Sequence, residues 1–112
     1  MSTRLLATDV FTMPLEAESA PGTWVEGGWP NARTQTLAEL GDVTTSIWEI
    51  TTGVVADIEN DECFLVLSGS GHVRFEGGDT LELKPGACLR FRAGDRTEWT
   101  VISTVRALTI VG

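Results

Sequence analysis

From Thr34 onward, apolar and polar residues alternate in short runs separated by glycine, proline and aspartate, and no segment carries a helical period. The alternation predicts strands near 34–40, 43–50, 54–58, 62–68, 71–77, 79–84, 88–92, 98–103 and 105–111. Gly41-Asp42, Ser68-Gly69-Ser70-Gly71, Gly77-Gly78-Asp79 and Pro85-Gly86 offer the positive-φ or fixed-φ positions that tight connections need, so each is read as a turn. Many short strands at this spacing predict an all-β sandwich or barrel. Within 62–68, Glu62, Phe64, Val66 and Ser68 fall on one face and Cys63, Leu65 and Leu67 on the other. Both faces are largely apolar, which places this strand centrally. In 71–76, His72 shares the polar face with Arg74 and Glu76 and reads as a surface residue.

Residues 1–33 break the pattern: periodicity is weak and prolines and glycines are frequent. Trp24 and Trp29 in this stretch make a floppy tail costly, because exposed indole surface is adhesive. The expected organisation is therefore an N-terminal arm over 1–33, packed on a sheet of its own subunit or a neighbour, and a barrel over 34–112.

Composition narrows the function. One domain is expected from 112 residues, and 42% hydrophobic content is enough for one core. A net charge of −8 repels phosphate backbones and anionic membrane surfaces, so neither nucleic acid nor membrane is an expected partner. The densest charge, Asp57, Glu59, Asp61 and Glu62, reads as a solvated loop. Cys63 and Cys88 lie inside apolar strand patterns with no CxxC or Cys/His spacing, and are expected as buried free thiols. No signal-peptide-like apolar core and no membrane-length apolar run is present, which leads to a cytoplasmic expectation. A nucleophile elbow and a phosphate-cradling loop are also missing, so covalent catalysis has no support.

Trp48-Glu-Ile-Thr-Thr-Gly53, Asp61-Glu-Cys-Phe-Leu-Val-Leu-Ser-Gly69, Leu83-Lys-Pro-Gly86, Phe91-Arg-Ala-Gly94 and Glu98-Trp99-Thr-Val together resemble the cupin superfamily over roughly residues 43–111. The nearest likeness is to its small single-domain branch related to the ureidoglycine aminohydrolase cupin domains. The resemblance implies a jelly-roll barrel of two antiparallel sheets, and a homodimer with Trp24 and Trp29 as candidate apolar anchors. It also implies metal-ligand positions, of which only Glu62 carries a ligand residue. The usual histidine positions fall near Val55, Asp57 and Thr97, while Ala87 and Arg92 replace an aspartate and a proline. With a single histidine in the chain, no metal and no other cofactor is expected.

In the cupin register Glu62 points into the barrel mouth. There it acts as an acid/base or substrate anchor with a raised pKa, or pairs structurally with Arg90 or Arg92. Trp48 and Trp99 either fill the core or floor a pocket whose wall Phe64 and Phe91 complete. The expected site is Glu62 as a tentative catalytic group, with Trp48, Phe64, Arg90 and Trp99 binding a small molecule. The leading function is metal-independent binding by a cupin of unassigned biochemical role. A ureide-handling type of hydrolase or isomerase and a non-catalytic structural barrel are the rivals.

Overall fold

The computed structural model describes residues 4–18, the backbone of 23–26, and 31–112. Trp29 and the side chain of Trp24 lie outside the described residues, so the dimer-anchor expectation placed on them falls there too. Among the described residues there is no helix, and hence none long and apolar enough to cross a membrane. The strands are β1 (Glu16–Ala17), β2 (Thr23–Glu26), β3 (Ala32–Leu40), β4 (Val43–Ile50), β5 (Gly53–Ile58), β6 (Glu62–Phe75), β7 (Thr80–Leu83), β8 (Cys88–Phe91) and β9 (Arg96–Val111).

All pairings are antiparallel, and the ladder runs β1-β3-β4-β9-β5-β2. β6 lies along the other edge of β9 and carries β7 and β8 on its own far side. This is the all-β jelly-roll barrel that the sequence predicts. Residues 96–101 of β9 pair with β5, and residues 105–111 pair with β4, so one strand ties both ends of the barrel together.

Two expected interruptions are not there. The segments expected at 62–68 and 71–77 run together in the single strand β6, which ends at Phe75, and those at 98–103 and 105–111 in the single strand β9. The Ser68–Gly71 run is a set of register shifts against β9, not a hairpin turn. Its glycines serve close approach: a Cβ on Gly69, where φ is +97°, would be driven into the carbonyl oxygen of Thr104. The adjacent hydroxyls of Ser70 and Ser103 hydrogen-bond at 2.8 Å. Gly77-Gly78 does turn the chain, with Gly78 N–H bonded to Phe75 C=O at 3.1 Å between β6 and β7.

Inward-facing positions of β6, β7, β8 and β9, including Val66, Val73, Leu83, Phe91, Val101 and Val105, close an apolar core. Each such side chain contributes roughly 1.5–3 kcal/mol by burial. Residues 10–15 are held to β3 and β9 by two arginines. Arg106, only 7% exposed, donates to the carbonyls of Val10 and Met13 at 3.0 Å each and to Glu49 Oε2 at 3.0 Å. Arg33 holds the carbonyl of Leu15 at 3.1 Å.

The expected buried thiols are not buried. Cys63 and Cys88 are free and exposed, because the register Leu65 to Cys88 and Cys63 to Arg90 puts both on the outer face. The apolar character of their surroundings, Leu65 and Ile110, belongs to a surface, with Ile110 exposed.

Candidate functional site

A cavity of about 330 Å³ opens between the sheets at the end of the barrel where β5 meets the loop 59–61. Its aromatic wall comes from three strands. Trp48 on β4, Phe64 on β6 and Trp99 on β9 are all inward-facing, and their rings meet edge-on at centroid distances of 5.6 Å (Trp48–Phe64), 5.7 Å (Trp48–Trp99) and 5.3 Å (Phe64–Trp99). Phe91 lies behind this wall, 5.5 Å from Trp99 and 5.9 Å from Phe64, in the core and not in the lining. The tryptophans and Phe64 thus combine the two roles open from sequence: core packing on one side and cavity lining on the other.

Four carboxylates line the same cavity: Glu18, Asp57, Glu59 and Glu62. The solvated-loop reading of the 57–62 run is therefore corrected. Asp57 is inward on β5 and Glu62 inward on β6. The connecting loop turns Glu59 inward as well, leaving it 5% exposed. Only Asp61 keeps to solvent, where it accepts from Arg90 Nη2 at 3.1 Å and from the Ala93 N–H at 3.2 Å. The loop is pinned by Glu59 N–H to Asp95 C=O at 2.8 Å and Gly94 N–H to Glu59 C=O at 2.9 Å.

Each lining carboxylate has a distinct environment. Glu59 Oε2 accepts from Thr97 Oγ1 at 2.6 Å and from Trp99 Nε1 at 2.9 Å, yet burial still raises its pKa. Glu18, exposed and just past β1, accepts from Trp48 Nε1 at 2.6 Å and closes one side of the mouth. Burial, and then the nearby Glu59, raise Asp57 to about 6. Glu62 rises to about 7, mainly through burial and then through the charges of Glu59, Asp57 and Glu18. Among the described residues no donor or cation meets the Glu62 carboxylate.

Arg90 does not join this site. Alternation along β8 buries Leu89 and Phe91 and turns Arg90 outward, where it pairs with Asp61 and reaches the backbone carbonyls of Phe91 and Glu62. Arg92 is also exposed, so neither arginine is the structural partner of the Glu62 carboxylate. His72 lies on β6 opposite Glu82 and Thr100, away from the cavity. Among the acids of the cavity, Glu18 and Glu59 are those that sequence reasoning missed, and Thr34, Ser46, Asn60 and Thr109 line it unforeseen as well. Glu18 sits in the aperiodic arm, and Glu59 lies beyond the end of β5, where strand alternation no longer assigns a face.

The resemblance puts the usual histidine positions near Val55, Asp57 and Thr97. In the register Val55 opposes Trp99 and Asp57 opposes Thr97. Val55 is core, and the Thr97 hydroxyl is committed to Glu59. Among the described residues no three His, Cys, Asp or Glu side chains are arranged to hold a metal ion. This donor set does not fit the transition-metal centre that the fold implies, since borderline cations favour imidazole or thiolate. A wider, shallower depression of about 620 Å³ lies across β5, lined by Arg74, Glu76, Arg96 and Glu98. Arg74 and Glu98 pair there at 3.2 Å, which makes it a self-neutralised surface.

The sequence matches the EutQ-like cupin domain over residues 37–107, and the chain belongs to that family. Sequence comparison with curated proteins yields no match. Among solved structures, the chain is similar to the EutQ protein of Clostridium difficile, with a TM-score of 0.63 and 16% identity over 79% of this chain and 74% of that one. It is also similar to ectoine synthase from P. lautus, with a TM-score of 0.61 and 19% identity over 78% and 66%. A protein of unknown function from Pseudomonas syringae pv. tomato superposes with a TM-score of 0.73 and 20% identity, over 93% of this chain and 46% of that one. At these identities the likeness concerns the fold.

Proposed function

We propose that the protein is a small-molecule-binding cupin that works without a transition metal, and that its ligand seats in the 330 Å³ cavity against Trp48, Phe64 and Trp99. The observation that carries this reading is the unneutralised Glu62, half-buried beside a preformed aromatic wall. A purely structural barrel gains nothing from holding a carboxylate there without a donor, because its desolvation is uncompensated. Substrate binding recovers that cost if the ligand supplies the missing partner.

The pKa of Glu62 near 7 favours a second reading, acid–base catalysis of a hydrolysis or isomerisation at this carboxyl. Against it stands the lining itself, which contains no arginine, lysine or histidine to stabilise a developing oxyanion. A homodimer and a cytoplasmic setting belong to the same proposal. The apolar outer face around Leu65 and Ile110 favours association, and a reducing compartment would keep the exposed Cys63 and Cys88 free.

The test is a ligand-observed NMR screen of small polar metabolites against the wild type and Ser46→Phe, which fills the cavity from β4 without removing a buried group. Hits that bind the wild type, survive dialysis against EDTA and vanish in a folded Ser46→Phe protein are expected. Hits that bind both proteins equally would place binding elsewhere, and hits that need a metal would overturn the metal-independent reading.

A further inference from the structure

The lining chemistry specifies the ligand further, on the footing that the cavity is a binding site. We infer that the cavity takes a small organic cation with N–H donors, an ammonium or amidinium group, seated between the Glu62 and Asp57 carboxylates with its carbon skeleton against Trp48, Phe64 and Trp99.

Four carboxylates face one space of about 330 Å³, and no basic side chain lies among the lining residues. Field lines in a low-dielectric cleft of one sign concentrate the opposite charge there.

Both indole donors of the wall are committed, Trp48 Nε1 to Glu18 and Trp99 Nε1 to Glu59. The hydroxyls of Thr34 and Thr109 donate to the backbone carbonyls of Ile47 and Ser46. Beside the Ser46 hydroxyl and the Asn60 amide, what the lining offers a ligand is therefore mostly acceptor: the Glu62 carboxylate and the second oxygen of Asp57, whose Oδ1 already accepts from the Ile58 N–H at 2.8 Å. An anionic or acceptor-only ligand would meet repulsion and few donors, whereas an N–H donor satisfies both acids.

The ring faces and edges of Trp48, Phe64 and Trp99 border the carboxylates, and aromatic faces attract cations through the ring quadrupole. The volume is at the small end of ligand cavities, which limits the guest to a compact molecule. A bare divalent metal is a poorer match, since no three acidic side chains among the described residues are arranged to hold a metal ion.

The experiment is isothermal titration calorimetry at pH 8 and constant ionic strength with three probes of one size: n-butylammonium, 1-butanol and butyrate. Each is titrated into the wild type and into Glu62→Gln, whose fold is checked by its melting temperature. Butylammonium is expected to bind at least about tenfold more tightly than butanol, and butyrate not to bind. Glu62→Gln is expected to weaken butylammonium by about tenfold and to leave butanol unchanged. Butanol or butyrate binding as tightly as butylammonium would overturn the cationic specificity while leaving the cavity a binding site. Failure of all three probes would sink both the specificity and the binding reading. Equal butylammonium affinity in the wild type and Glu62→Gln would also overturn the assignment.

Discussion

The indole of Trp99 donates to Glu59 Oε2 at 2.9 Å, and the same oxygen accepts from Thr97, so one buried acid is held by two residues of β9. This contact fixes both the wall and the floor of the cavity. Trp99→Phe keeps the aromatic packing but removes one donor from a buried carboxylate. The expected cost is roughly 1–3 kcal/mol when Glu59 is ionised, and less once it is protonated. Melting curves measured across pH separate this from lost packing: burial raises the Glu59 pKa, and the penalty should grow as pH rises and the acid ionises. A penalty that does not change with pH would mean that the hydrogen bond carries no charge-dependent stability.

The acids of the mouth also set how stability responds to pH. Glu62 and Asp57 have folded pKa values of about 7 and about 6, above their ordinary values of 4.5 and 3.8, so in that window the native state holds protons that the unfolded chain has lost. Stability contributed by these groups is therefore complete below the ordinary values and declines as pH rises toward 7. Asp61 acts oppositely: its pKa is lowered, first by the Ala93 N–H and then by Arg90, so its contribution is lost only as pH falls below the ordinary 3.8. Melting temperature should peak near about pH 4–5 and fall by several degrees toward pH 8. Glu62→Gln should flatten that decline. A melting temperature that climbs from pH 5 to pH 8 would show these acids to be solvated.

Gly69 is the tightest point of the β6–β9 crossing. Its φ of +97° and the Thr104 carbonyl beside it leave no room for a methyl group, so Gly69→Ala should destabilise the protein by roughly 3 kcal/mol, measured by chemical denaturation. Gly77→Ala is the control, since nothing lies within 4 Å of a Cβ there and only the cost of φ +68° remains. Equal losses in both would mean that the crossing is not sterically closed.

Much of the barrel is legible in the sequence because strand alternation and turn residues are local signals. The edges of β3, β4, β5, β7 and β8 follow them closely. The Ser68–Gly71 run misleads because glycine serves turns and close approach alike, and only the partner strand decides between them. The same limit applies to Cys63 and Cys88: an apolar strand face reads as buried, but which face meets the core depends on neighbours far along the chain. In the site, Trp48, Phe64, Trp99 and Glu62 come from the family pattern and converge on one cavity. Arg90 comes from charge complementarity alone, and β8 turns it outward to Asp61. Glu59 and Glu18 lie where no periodicity assigns a face.

In the proposed site Glu62 is a desolvated acid that awaits a cationic partner. Carboxyl-carbon NMR of the labelled protein across pH, with and without n-butylammonium, reads this directly. Glu62 is expected to titrate at about 7 alone and at clearly lower pH with the cation bound, while Glu62→Gln removes that resonance. A Glu62 titration at the ordinary 4.5 that the cation does not move would contradict it.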